Sequence, residues 1–92
     1  MSSFGRFLRN RREELGLPLR KVAAELDIDT SILSKIERNE RSATKEMLPI
    51  FSSSLNLSEK DVQVEFIKST IHDEFGELEY LKDGLESILQ NL

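Results

Sequence analysis

Apolar positions along this chain recur at helical rather than strand spacing. From Leu17 to Glu40 (LPLRKVAAELDIDTSILSKIERNE) they describe two short helices sharing one apolar face across a tight joint. The first is predicted to begin at Pro18, whose missing N–H costs nothing at the first helical position, and to turn Val22, Ala23 and Leu26 inward. Asp27 and Asp29 interrupt it. Asp29 stands directly before a second periodic run, where its carboxylate can accept from free N–H groups two or three residues on, so it is the expected N-cap. The second helix buries Leu33 and Ile36. Its other face, Thr30, Ser31, Ser34, Lys35 and Arg38, is small, hydrogen-bonding or cationic. Such a face suits a rod lying in a DNA major groove, whose base edges present donors, acceptors and methyl groups. This is the helix-turn-helix pattern.

The flanking periodicity supplies the rest of a small all-α bundle. A first helix is predicted from Ser3 to Leu15, with Phe4, Leu8 and Leu15 on the core side and Arg6, Arg9, Arg11 and Arg12 elsewhere on its surface. Ser2 or Ser3 caps it and Gly16 ends it. After the second helix of the motif, residues 39–43 read as a loop, with Asn39 at a left-handed helix-end position. A fourth helix follows from Lys45 to Leu55, capped by Thr44, with Leu48, Phe51 and Leu55 inward and Pro49 removing one internal hydrogen bond. Asn56 takes the C-cap place usually given to glycine, and residues 52–54, all serine, form a small-residue face.

A fifth helix opens at Ser58, where Ser58-Glu59-Lys60-Asp61 has the form of a capping box. From there to Leu92 the chain has no proline and little turn chemistry, so it is one long helix or two joined near Gly76. Leu78, Leu81, Leu85, Ile88 and Leu92 follow a heptad spacing, with Glu77, Glu79, Lys82, Asp83 and Glu86 between them. That seam packs on the protein's own helices or on a second copy. The second option is favoured, because the N-terminal part already has apolar residues enough for its own core. The expected architecture is therefore a compact bundle of about five helices: residues 1–57 form the helix-turn-helix region, and residues 58–92 a C-terminal dimerisation helix within one compact domain.

The set of residues from Gly5 to Ser58 resembles the phage-repressor and Cro-type, or Xre-like, transcriptional regulators. In that family a helix-1 arginine, a small alanine in the second helix, an apolar residue after the turn and an S-x-I-E-R-like ending recur. Arg12, Ala23, Ile28 and Ser34-Lys35-Ile36-Glu37-Arg38 stand at the matching places. Two departures are visible. Leu19 occupies a position where the family often has a glutamine facing the DNA backbone, and Asp27 replaces the usual turn glycine. Aspartate tolerates a left-handed backbone better than most residues, so the turn survives. The resemblance implies a lambda-repressor-like fold in which Arg12 pairs with Glu37 while also reaching a phosphate. The alternative is an exposed, mobile arginine.

Charge sharpens this picture. The net charge of −4 averages over two unlike halves. Residues 1–45 hold 10 Lys/Arg against 7 Asp/Glu, a balance of +3, and residues 46–92 hold 3 against 10, a balance of −7. A basic half can face phosphates while an acidic half points away or toward a partner. The same charges also fit a plain solvated helical surface. The chain has no cysteine and one histidine, His72, which excludes thiolate metal sites, nucleophilic triads and histidine relays. His72 is expected on the surface or at an interface. No Gly-rich phosphate loop occurs, no apolar run approaches the roughly 20 residues that span a bilayer, and MSSFGRFLRNRR lacks a signal-peptide core. A cytoplasmic non-enzyme without cofactor or metal is expected.

The reading is a sequence-specific DNA-binding transcriptional regulator, a repressor or autoregulator, acting as a homodimer on a palindromic operator. Thr30, Ser31, Ser34 and Lys35 are the candidate base readers, joined by Ile32 against a thymine methyl unless the core claims it. Arg12, Arg20, Lys21, Arg38 and Arg41 are the candidate phosphate contacts. The rivals are an antitoxin or adaptor whose acidic C-terminal half binds another protein, and a controller of a restriction-modification locus.

Overall fold

The computed structural model describes residues 3–92, so the alternative of Ser2 as a cap lies outside the described residues. Ser3 caps the first helix: its backbone is extended and its Oγ accepts from the Arg6 N–H at 3.1 Å. The helices are α1 (Phe4–Glu14), α2 (Leu19–Leu26), α3 (Thr30–Glu37), α4 (Leu48–Ser54, entered through a 3-10 turn at Lys45–Met47), α5 (Glu59–Phe75) and α6 (Leu81–Leu89). Among the described residues there is no strand. The C-terminal stretch is thus two helices rather than one, parted at Gly76–Tyr80.

Each of the first four helices ends on a residue with positive φ: Gly16 (69°), Asp27 (57°), Asn39 (62°) and Asn56 (51°). In each case the following N–H turns back to a carbonyl in the last helical turn. Leu17 donates to Arg12, Ile28 to Ala23, Glu40 to Lys35 and Leu57 to Ser52, at 2.8–3.1 Å. These are Schellman closures, which satisfy orphan helix-end carbonyls. Only one of the four residues is glycine. Asp and Asn bear the left-handed conformation at the other three, since their short polar side chains tolerate it.

Five local expectations are corrected. Pro18 is the extended N-cap of α2 rather than its first residue, and its carbonyl accepts from Lys21. Asp29 is the N-cap of α3, but its side chain makes no capping hydrogen bond. Thr44 likewise precedes the 3-10 turn without a side-chain bond, and Pro49 falls in the first turn of α4, where its missing N–H costs no internal bond of that helix. Leu15 follows the last residue of α1 and is 38% exposed, while Leu17, after the turn, packs against the core in its place.

The core lies where α1 to α5 meet. Leu8, Val22, Leu33, Ile36, Phe51, Leu55 and Val62 are all fully buried. Phe4 meets Phe51 and Phe66 edge-on, with ring centroids 6.0 and 5.4 Å apart. Val62 and Phe66 belong to α5, so the core runs past residue 57. The same helix is tied back to α1 by the Phe4 N–H, which donates to Ser69 Oγ at 3.1 Å. Val64, Ile67 and Phe75 lie on the opposite side of α5 and are exposed, with Ile71 half-buried among them. α6 buries no residue and shares almost no contact with the other helices, and the molecule is long in one direction, 41 × 23 × 22 Å.

The expected heptad seam changes accordingly. Leu81, Leu85 and Ile88 lie on α6, whereas Leu78 sits in the turn before it and Leu92 lies beyond its end, 94% exposed. The turn at Gly76–Tyr80 breaks the helical register that a continuous seam needs.

One close approach sets the arrangement of α1 on α3. Gly5 is buried, and a Cβ there would lie 2.3 Å from the Ile36 carbonyl oxygen and 2.5 Å from that of Glu37. These are backbone atoms and cannot swing aside. Gly5→Ala is therefore expected to lower stability by about 1–3 kcal/mol, the usual cost of overpacking. Urea unfolding measures this; an unchanged midpoint would show that α1 can withdraw from α3 without loss.

Candidate nucleic-acid interface

The two-helix unit is built on small and branched side chains. Ala23, 2% exposed, lets α3 approach α2, and Val22, Leu26, Leu33 and Ile36 close the space between them. Leu33 and Ile36 also fix which side of α3 faces outward. Thr30, Ser31, Lys35 and Arg38 are exposed, Ser34 and Ile32 are half-buried, and Ile32 rests partly against the core. The side chains of Thr30, Ser31, Ser34 and Lys35 form no hydrogen bond to any described residue. Leu19 is partly buried against the core, so it serves packing at the position where the resembled family often has a glutamine.

Arg12 holds this unit together. Its Nε donates to Glu37 Oε2 at 2.7 Å and its Nη2 to Glu37 Oε1 at 3.0 Å, a two-pronged pair between α1 and the end of α3. Its Nη1 donates to the Leu17 carbonyl at 2.8 Å, just before α2. The side chains are 12% and 5% exposed, so the pair is nearly closed to water. Hydrogen bonding to Glu37 raises the guanidinium pKa above its ordinary value, burial opposes the rise, and the charge of Glu37 adds to it. Three of the five N–H donors are thereby used inside the protein.

The other candidate phosphate contacts are exposed. Arg20 and Lys21 stand in the first turn of α2, and Arg41 in the loop after α3. Arg38 is half exposed and pairs with Glu40 at 3.0 Å, and its Nε also donates to the Ser34 carbonyl. Arg11, read from sequence as a surface residue, donates instead to the carbonyls of Leu55 and Asn56 at 2.9 and 3.2 Å, closing the end of α4. Asn39, directly after α3, donates to Asp73 of α5 at 3.4 Å. Sequence reasoning missed Gly5, Arg11 and Ser69 as positioning residues. Only Gly5 carried a signal, being a glycine inside a predicted helix.

Among the described residues no group of three or more His, Cys, Asp or Glu side chains converges to hold a metal ion, and no helix is long and apolar enough to cross a membrane. His72 is exposed on α5.

The family model HTH_3, described as Helix-turn-helix, matches residues 8–62, more than half of the chain. The chain belongs to the helix-turn-helix family, in its Xre and Cro type. Among solved structures, the helix-turn-helix chain is similar to the clp gene regulator ClgR from Corynebacterium glutamicum, with 26% identity and a TM-score of 0.62. That match covers 95% of this chain and 86% of the other. No curated protein matches significantly. This helix-turn-helix protein is a DNA-binding transcriptional regulator.

Glu37→Ala leaves the Arg12 guanidinium without its counter-charge in a nearly closed site, and a loss of about 3–5 kcal/mol is expected. Arg9 pairs with Glu13 where both are 54% exposed, so Arg9→Ala should change stability by less than about 1 kcal/mol. Urea titration of the two variants checks the contrast, and equal losses would deny the buried pair its role. Because the folded pKa of Arg12 lies above the unfolded one, its contribution is intact at lower pH and is lost only as pH rises through the raised value. Stability should therefore show no alkaline decline from this pair below about pH 12.

Proposed function

We propose that this regulator acts in the cytoplasm as a homodimer on a palindromic operator, with α3 of each subunit in the major groove, and that it represses the genes, its own among them, whose operators it covers. The observation that carries this reading is the outward face of α3. Four of its side chains, Thr30, Ser31, Ser34 and Lys35, form no hydrogen bond to any described residue, while the opposite face is locked by the core and by the Arg12–Glu37 pair. A rigid helix with free donors and acceptors loses little freedom when it meets base edges. Thr30 and Ser31, in the first turn, and Lys35, one turn on, are the base readers; Ser34 and Ile32 contribute the part of their surface that the core leaves. Arg20, Lys21, Arg38 and Arg41 bind phosphates. Arg12 contributes to the backbone contact through its two remaining donors and, more, by holding the N-terminal turn of α2 in place.

Dimerisation follows from half-site geometry. One such unit reads one half-site, whereas two units held roughly 34 Å apart add their contacts and lose relative freedom once. The residues proposed to join the subunits are Leu81, Leu85 and Ile88 on α6, with Leu78 before and Leu92 after it.

Selection of bound sites from random DNA by the purified protein tests this function, and a palindromic consensus is expected. Lys35→Ala should cost about 1–3 kcal/mol on the best site and relax preference at one base position per half-site, since lysine in the groove donates chiefly to guanine acceptors. An unchanged consensus would remove Lys35 from the base readers.

Arg41→Ala should instead weaken all sequences about equally and reduce the slope of log affinity against log salt by roughly one. A shifted base preference without general loss would contradict a phosphate contact. Binding titrations at several salt concentrations separate the two roles.

A further inference from the structure

Among the described residues, every exposed large hydrophobic side chain except Leu15 lies from Val64 onward, on α5, on α6 or beside them. Val64, Ile67, Ile71 and Phe75 form one outward stripe along α5, at helical spacing, opposite the face that packs on the core. Beyond the turn, α6 brings Leu81, Gly84, Leu85 and Ile88 toward Ile71 and Phe75, and an open cleft of about 470 Å³ lies between the two helices. No other described residue fills it.

Two features specify the occupant. α6 is nine residues long, and a helix of that length is marginal in water unless an apolar surface packs against it. Its own chain buries none of its residues. Gly84, in turn, lies in the interior of α6, where glycine weakens a helix. It lines the cleft, and a Cβ placed on it would meet nothing within 4 Å. No contact within the chain calls for glycine there, and the space it leaves admits the close approach of another backbone.

We infer that the cleft of each subunit receives α6 of a second copy, the two α6 helices crossing at Gly84. This rests on the dimer reading above and adds where and how the subunits meet. The area agrees: Ile67, Phe75, Leu78 and Ile88 are 48–56% exposed and Leu89 69%. Together with the partly covered Ile71, Leu81 and Leu85 they offer on the order of 700 Å² per subunit, close to the ~800 Å² that each partner gives to a standard stable interface. α6 is also the right kind of ligand, with Leu81, Leu85 and Ile88 along one side and Lys82, Asp83 and Glu86 on the other. Glu77, Glu79, Asp83 and Glu86 give the arm an acidic rim that the two-fold brings toward its own copy, so added salt screens repulsion. The dimer holds or tightens as salt rises, while DNA binding weakens.

The absence of native cysteine makes the crossing directly testable. Under mild oxidation at micromolar concentration, Gly84→Cys is expected to form a covalent dimer, and Glu86→Cys, on the opposite side of α6, to form none. Gly84→Leu meets open space in the lone subunit and favours the helix, so it should keep at least the helical circular dichroism and cooperative unfolding of α1 to α5 while sedimenting as a monomer. A wild-type dimer that survives Gly84→Leu and does not cross-link through Gly84→Cys overturns the crossing and leaves the dimer reading standing. A wild type that sediments as a monomer at tens of micromolar overturns both. A monomer that instead binds a synthetic amphipathic Lys/Leu helix assigns the cleft to a basic partner and also overturns the inference.

Discussion

Arg12 donates from α1 to the carboxylate of Glu37 at the end of α3 and to the Leu17 carbonyl before α2, so one guanidinium joins the three elements of the DNA-binding unit. Placing a charge pair out of water is costly, and the cost is met only when the geometry is good and the remaining donors find partners. Here both Glu37 oxygens and a backbone carbonyl are engaged. The pair therefore works as a registry device: it is satisfied in one arrangement of α1, α2 and α3 and expensive in any other. Gly5 allows that arrangement, since only a residue without Cβ lets α1 lie against the carbonyls of Ile36 and Glu37. The outward face of α3 owes its rigidity to contacts made on its hidden side.

α5 connects this unit to the C-terminal arm. One face of it completes the core through Val62 and Phe66, and Ser69 accepts from the first N–H of α1. Asp73, further along, takes the hydrogen bond from Asn39, the residue at which α3 ends. The opposite face is apolar and open. A helix that touches both the end of α3 and the proposed subunit contact is suited to set the distance and angle between two recognition helices. The charge halves follow the same division, with the balance of +3 around the DNA-facing unit and −7 in the half that carries the arm. Net charge alone would have argued against a polyanionic ligand; its distribution argues for one.

Much of the fold was legible because its signals are local. Helical periodicity placed α1 to α5 to within a few residues, and Asp27, Asn39 and Asn56 were readable as helix ends from the tolerance of Asp and Asn for the left-handed region. The errors fell where two local options have similar energy. Asp29 can cap α3 with or without its side chain, and Pro49 is as acceptable in a first turn as it is disruptive further in. Leu15 failed for a different reason: periodicity continues to the last helical residue, whereas burial depends on whether another element covers that end.

By itself, then, the sequence determined the number and sense of the early helices, the helix-turn-helix spacing, the outward set Thr30, Ser31 and Lys35, and the Arg12–Glu37 pair as a resemblance to be met. All of these rest on short-range periodicity or on a motif. Tertiary structure alone decided what depends on distant parts of the chain coming together. It placed the Gly5 backbone against α3, drew Arg11 to the end of α4, gave α5 one covered and one open apolar face, and broke the C-terminal seam at Gly76–Tyr80 to leave a cleft with Gly84 in it. The physical reason is that a helix period states which residues share a face, and only packing states which faces are covered.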